Sequence, residues 1–316
     1  MKKIIYKPKG TNQNEFNHAG DTFREMLDLW EEKGFIEIRE TNETGHVWWD
    51  NIGKVLLYDR PTYQWFKKFP GYELCLCGNS PPQENTNKEN QKPWIFWGRH
   101  PRVVEKWNQR KPLKYARRDI NSIFIGKIEN EVQQQFRIDN RWKTVIEKYD
   151  LQIGGHGYKY SQDDYFNLLS RSKFGLCLRG YGPKCNREIE LMAMGVIPLI
   201  TPDVDLTYYN NLIEGYHYLR VNEPKDVNRV ISNIDSKKWD EMSVACRAWY
   251  QQNCSVEGSF YTTKMIIQKF YMGDRLPKVF VDVNRLNTYG PPHGSSLGNK
   301  ILHLFFILKY CFKHKL

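Results

Sequence analysis

The chain has 316 residues, 40% of them hydrophobic and 14% aromatic, and a formal net charge of +11. That is enough length and apolar content for two domains with their own cores. Its 7 cysteines have no framework spacing, which excludes a disulfide scaffold, and no zinc-finger, recognition-helix or RNA-binding signature accompanies the positive charge.

No apolar segment follows Met1-Lys2-Lys3, so no secretory signal or anchor is read and a cytoplasmic location is expected. Ile4 to Tyr6 reads as a first strand and Lys7 to Gly20 as a polar loop. Asp21 can cap a helix to about Lys33 whose apolar face holds Phe23, Met26, Leu27 and Trp30. Phe35 to Ile38, Lys54 to Tyr58, Tyr72 to Cys77 and Trp94 to Trp97 read as further strands, with a polar loop rich in Pro and Asn over Asn79 to Pro93. Together with the basic stretch from Arg99 to Arg118, these elements suit a small α/β domain over residues 1–118.

A second domain is expected over 119–256. Ser122 to Gly126 is its first strand, with Lys127 just past the end. Glu131 to Tyr149 reads as a helix, Leu151 to Ile153 as a strand and Asp163 to Ser172 as a helix. The most informative stretch follows: a buried strand (Phe174 to Leu178), a glycine-rich turn (Arg179 to Gly182), a helix (Lys184 to Met194), a stop at Gly195 and a strand (Val196 to Ile200). That is a βαβ unit with a tight strand-to-helix turn. Gly180 and Gly182 let the backbone come close to a ligand, and the helix N-terminus offers unpaired N–H groups. Arg179 and Arg187 flank the turn with guanidinium groups shaped for phosphate oxygens. Glu190 shares a helical face with Arg187, and a carboxylate there can take the two hydroxyls of a ribose. The sum is a site for a nucleotide diphosphate.

Beyond it, a short helix near Tyr208 to Ile213, a strand over Tyr216 to Val221 and helices over Pro224 to Ile234, Ser236 to Asn253 and Glu257 to Tyr271 are expected. The last gives a closing helix at 257–273, with a return to the first domain as one option, before a basic and apolar tail at 274–316. Repeated strand-then-helix units imply a mostly parallel sheet. Ligands bind such sheets at the carboxyl ends of the strands. Gly126-Lys127, Gly154 to Gly157, Arg179 to Gly182 and Thr201 to Asp203 should therefore line one edge.

The segment Ser172 to Ile200 resembles the exostosin-like glycosyltransferases. Their pattern runs roughly S-K-F-C-L-x-P-x-G, then an arginine, then E-A, then G-C-I-P-V-I. Ser172-Lys173-Phe174, Leu176, Arg179-Gly180, Arg187, Glu190, Gly195 and Ile197-Pro198 stand in register. Leu178 replaces the usual proline, Cys185 a small hydroxyl residue, and Leu191 an alanine. The match is close over 172–200 and looser over 120–270. The resemblance implies a GT-B fold, two Rossmann-like domains with mostly parallel sheets, the donor on the second and the acceptor on the first. It also implies a metal-independent hexosyl- or pentosyltransferase that needs no cofactor beyond its UDP- or GDP-linked donor and moves the sugar to a glycan hydroxyl. The donor residues it points to are Lys127, Arg137, Arg179, Gly180, Tyr181, Gly182, Asn186, Arg187 and Glu190.

An inverting transferase needs a base from the first domain. Asp21, on the first loop-to-helix turn, is one candidate, with plain helix capping as its bland alternative; Asp50, after Trp48-Trp49, is the other. A retaining mechanism needs neither. Asp203-Val204-Asp205 resembles the metal-binding pair of GT-A enzymes but follows a strand inside the exostosin register, so it reads as a loop and no metal is expected. His156 and His217 read as structural. In the tail, Ile301, Leu304, Phe305 and Leu308 share a helical face and Lys309, Lys313 and Lys315 follow. Behind a tether at Gly290 to Gly298, this suits either a helix packed on the protein or a peripheral anchor on an anionic membrane. The competing functions are a basic nucleic-acid-binding protein, disfavoured for want of a motif, and a glycan-binding protein without catalysis.

Overall fold

The computed structural model describes residues 2–9, 22–43, 45–58, 71–78, 90–129, 131–154, 159–180, 184–273 and 301. The chain divides into two compact units. The first takes Met1–Phe96, Thr207–Tyr209 and Phe260–Leu316; the second takes Trp97–Leu206 and Asn210–Ser259. The chain thus passes into the second unit at Trp97, ahead of the boundary at residue 118 expected from the sequence.

The first unit is built on β1 (Lys3–Pro8), α1 (Thr22–Glu32), β2 (Ile36–Thr41), β3 (Trp48–Trp49), β4 (Val55–Tyr58), β5 (Leu74–Cys77) and β6 (Gln91–Pro93). The six-stranded sheet has the order β2-β1-β3-β4-β5-β6. Its strands run parallel except the two-residue β3, which is antiparallel to both neighbours. Helix α1 buries Phe23, Met26, Leu27 and Trp30, the face its periodicity predicts. Trp30 meets Trp49 edge-on at 6.4 Å and Phe260 at 5.8 Å, and Phe260 stacks on Phe35 at 4.7 Å. The strand expected at Trp94 to Trp97 is displaced to Gln91–Pro93. Trp94 to Trp97 are buried all the same, with the Trp94 carbonyl accepting from the N–H of Tyr209. A continuous apolar run fixes burial but lacks the alternation that would fix pairing.

The second unit holds α2 (Pro101–Asn108), a 3-10 turn (Tyr115–Arg117), β7 (Ile120–Ile128), α3 (Glu131–Arg137), α4 (Trp142–Val145) and β8 (Lys148–Ile153). It continues with α5 (Gln162–Arg171), β9 (Ser172–Cys177), α6 (Asn186–Ala193), β10 (Ile197–Ile200), β11 (Leu219–Arg220), α7 (Asp226–Ser232) and α8 (Ser236–Asn253). Helix α9 (Val256–Tyr271) begins here and ends among the residues of the first unit. The five strands are all parallel, in the order β11-β10-β9-β7-β8. Phe124, Phe174, Leu176, Ile197, Leu199, Trp239 and Met242 form its core. The α/β class and the parallel second sheet are as the sequence predicts.

Three local expectations fail. The single helix at Glu131 to Tyr149 is broken, and Lys148 and Tyr149 open β8. Asp139 is the cause: its carboxylate accepts the Arg141 N–H at 3.0 Å and the Nε and Nη2 donors on one edge of the Arg141 guanidinium, a local turn that competes with helix. Tyr208 to Ile213 is a loop, pinned by the Asn210 and Asn253 side chains. Tyr216 to Val221 shrinks to Leu219–Arg220 because Gly215, at φ +74, turns the chain and donates to the Tyr218 carbonyl. Among the described residues no helix is long and apolar enough to cross a membrane. Apart from residue 301, the proposed tail anchor lies outside the described residues.

Candidate functional site

Strand order decides where a ligand can enter the second sheet. In chain order the strands lie 2-1-3-4-5, so successive connections leave in opposite directions on either side of β7 and β9. The carboxyl ends of two such neighbours open a crevice, because the connections after them cover opposite faces of the sheet. Lys127 lies within β7, one residue before its end at Ile128 and not past it as expected; Arg179 and Gly180 follow β9, and α6 starts just beyond.

The β9–α6–β10 unit is locked at both ends of its helix. Cys185 precedes α6, and its N–H donates to Glu188 Oε1 at 2.8 Å, half of a capping box. Its sulfur accepts the Gly180 N–H at 3.0 Å. Burial, and then the Glu188 charge, push its thiol pKa up. The thiol therefore stays protonated and fills the place of the hydroxyl that the sequence pattern leads one to expect. At the other end Val196 N–H reaches the Leu191 carbonyl and Gly195 N–H the Met192 carbonyl, with Gly195 at φ +66, a Schellman stop. The last carbonyls are taken up by side chains: Asn108 Nδ2 and Arg247 Nη1 donate to Ala193, and Arg118 Nη2 to Met194. Leu191, where alanine is expected, fits because Gly175 has no side chain; a Cβ there would lie 2.3 Å from Leu191 Cδ2.

The expected donor residues divide into two groups. Arg137 and Arg179 meet at the crevice. Arg137 is buried, and it donates from Nε to the Arg179 carbonyl at 2.9 Å and from Nη1 to the Lys127 carbonyl at 2.7 Å. It braces the ends of β7 and β9 against each other. Burial, then the Arg187 charge, pull its pKa down to about 10. A Cβ on Gly180 would lie 3.0 Å from its Nη2. The Arg179 guanidinium lies over the Phe136 ring at 4.7 Å. Lys127 pairs with Glu129 at 2.7 Å. Arg187 lies along β7, its guanidinium 4.5 Å above the Phe124 ring and its Nη2 donating to the Ile125 carbonyl. Its Nε and Nη1 are buried and make no hydrogen bond.

Asn186 and Glu190, one turn apart on α6, instead engage the first residues of the unit. Asn186 Nδ2 donates to the Trp97 carbonyl at 2.8 Å. Glu190 Oε1 accepts the Arg99 N–H at 2.9 Å, and its Oε2 accepts the Tyr165 hydroxyl at 2.9 Å. Tyr165, Phe124 and Phe136 carry no motif, and nothing in the spacing of the sequence announces them.

Tyr181, Gly182, His156 and Asp21 lie outside the described residues. Asp50 is exposed and follows β3, the reversed strand; its N–H donates to the carbonyl of Ile4 near the start of β1. It thus stands at the amino edge of the parallel strands, opposite the edge at which such sheets bind ligands. Asp203-Val204-Asp205 forms a loop after β10, as expected, with Val204 and Asp205 buried. His217 is buried and its Nδ1 accepts the Ile213 N–H at 3.0 Å, a structural role.

No family model matches the sequence. Among solved structures, the chain is similar to HepE of Anabaena in complex with UDP and glucose, at 11% identity and a TM-score of 0.37, covering 64% of this chain and 63% of that one. It is similar to the sucrose-phosphate synthase of Thermosynechococcus elongatus at 10% identity and a TM-score of 0.38, covering 82% and 73%. It is also similar to an α1,3-fucosyltransferase at 13% identity and a TM-score of 0.39, covering 89% and 94%. The chain therefore spans less than two thirds of HepE. At such scores none of these likenesses decides what the crevice binds.

Proposed function

We propose that this chain is a glycosyltransferase of GT-B type that moves a sugar from a UDP- or GDP-linked donor to a glycan hydroxyl. The observation that carries the reading is the crevice between β7 and β9, where an anion-seeking turn meets a guanidinium with two buried, unpartnered donor atoms, Arg187 Nε and Nη1. Unpaired buried donors are costly, so a site that keeps them is suited to an acceptor that arrives with the ligand. The diphosphate is read as lying against the start of α6, facing Arg179, Arg187 and Lys127, with Arg137 bracing the turn. Tyr181 and Gly182, at the middle of the same turn, complete the proposed donor site. The register with the exostosin-like enzymes supports the finer assignment.

In the proposed reaction the sugar's bond to the diphosphate breaks with the electron pair leaving on the phosphate oxygen. Arginines and helix N–H groups neutralise that charge without a metal. In an inverting course the acceptor hydroxyl gives its proton to a carboxylate as its oxygen bonds the sugar carbon. Asp21 is the proposed carboxylate, since it directly precedes α1, which β1 feeds from its carboxyl end. The tail is proposed to rest on an anionic membrane from the cytoplasmic side.

A thermal-shift screen of nucleotide sugars followed by calorimetry with UDP and GDP tests the reading, because bound ligand raises stability by mass action. Charged hydrogen bonds contribute roughly 1.5–3 kcal/mol each. Glu190→Ala should therefore weaken nucleotide binding about ten- to a hundredfold. Equal affinity in both forms removes Glu190 from the site. No stabilisation by any nucleotide, with salt-dependent binding of an oligonucleotide, would replace the transferase reading by a nucleic-acid one.

A further inference from the structure

The Glu190 carboxylate is held from three sides. Oε1 accepts the Arg99 backbone N–H, Oε2 accepts the Tyr165 hydroxyl, and Gly98 lies so close that a Cβ there would come within 3.1 Å of Glu190 Cγ. An ionised carboxylate has about four lone-pair positions. The two protein donors use one on each oxygen, which leaves one on each, in a fixed plane. That arrangement suits two neighbouring hydroxyls.

The Tyr165 hydroxyl is itself well supported. Tyr165 stands on α5, whose start is capped by Ser161 Oγ accepting the Asp164 N–H at 3.1 Å. Its neighbour Phe166 is buried and stacks on Trp107, and Trp107 Nε1 donates to Asp163 Oδ1 at 2.7 Å. Helices α2 and α5 are thereby fixed against each other, and the phenol cannot swing freely. Burial and then the Glu190 charge hold the phenol pKa well above its usual value, so it remains a donor.

We infer that Tyr165 is a positioning residue for nucleotide recognition: it orients the Glu190 carboxylate for a ribose diol and so favours ribonucleotides over their 2′-deoxy forms. This rests on the nucleotide-sugar reading. It adds a residue that touches the ligand only through Glu190. An oriented carboxylate loses less rotamer freedom on binding than a mobile one, which is where the gain arises.

Tyr165→Phe keeps the ring and its packing on Phe166 and removes the hydroxyl, which donates to Glu190 and also lies against the Arg187 guanidinium. Calorimetry would be run with UDP, GDP, 2′-deoxy-UDP and 2′-deoxy-GDP on the wild type, Tyr165→Phe, Glu190→Gln and the double variant. The expected result is a loss of about tenfold in Tyr165→Phe for the ribonucleotide that the wild type binds. The loss for its 2′-deoxy form, which keeps only the 3′-hydroxyl, should be clearly smaller, and Tyr165→Phe should cause no further loss in the Glu190→Gln background. Equal losses for both sugars would mean a merely structural role and overturn the inference, as would no loss at all. A wild type that binds none of the four overturns the nucleotide reading itself and the inference with it, and that result is distinct from either of the others.

Discussion

Arg137 shows how a charged side chain beside a glycine-rich turn can serve the backbone. Its guanidinium spans the carbonyls of Lys127 and Arg179, and the Gly180 position leaves it only just enough room. Arg137→Lys cannot span both carbonyls, because an ammonium lacks the planar fork. Leaving a buried carbonyl unpaired costs about 1–3 kcal/mol, and urea unfolding should show a loss of that order. An unchanged midpoint would mean that the brace carries no stability. His217 gives a pH dependence. Burial lowers its pKa from 6.5, and its Nδ1 must stay unprotonated to accept from Ile213. Below pH 6.5 the unfolded chain takes up a proton that the folded one resists, so stability is lost as pH falls from 6.5 towards the lowered folded value. The melting temperature of the wild type should drop more between pH 7.5 and pH 5.5 than that of His217→Gln. The reverse order would point to another titrating group.

At the scale of elements, α6 is held by a strand residue it could not otherwise approach. Gly175→Ala should force a shift against Leu191, costing about 1–3 kcal/mol by overpacking. Leu191→Ala alone should cost about 2–5 kcal/mol by opening a cavity. Because the two occupy one space, the double variant should be more stable than the sum of the single losses, and strict additivity would show that they do not share it. How far elements can be read from the sequence follows the same physics. Helix α8, Ser236–Asn253, is read from end to end because Asp235 caps it, accepting the Lys238 N–H at 2.7 Å, and its periodicity runs unbroken. Glu131 to Tyr149 misleads because helix-prone residues flank Asp139, whose side chain closes a turn that no periodicity reveals. In the candidate site, Arg179, Gly180 and the start of α6 are legible from a glycine turn between two apolar strands. Tyr165 is not, since its bond to Glu190 joins residues on different helices and polar pairing leaves no pattern along a chain.

For the whole molecule, the two proposed bases separate cleanly. Asp50 stands at the amino edge of its sheet, so Asp50→Asn should leave turnover within about twofold, whereas Asp21→Asn should lower it by about a hundredfold or more if Asp21 takes the acceptor proton. Equal effects on turnover would reject that assignment. Truncation after Tyr289 tests the tail: the full chain should float with anionic liposomes and the truncated one should not, and equal flotation would dispose of the anchor.

The path of α9 has a consequence for how the protein is made. Phe260, far along the chain from the first unit's strands, packs on Trp30, Phe35 and Trp49, and the Trp94 indole donates to Thr263 at 2.8 Å. The strands made earlier in this chain therefore lack part of their own interior until the stretch from Trp97 to Ser259 has been made. The strands and helices of the later unit, from Trp97 to Ser259, are all available before Phe260 appears. Folding during synthesis should then run in reverse of chain order, with the later-made unit setting first and the earlier one waiting with its tryptophans uncovered. A nascent chain stalled short of Phe260 should expose those indoles to quenchers, and one extended past Tyr271 should shield them.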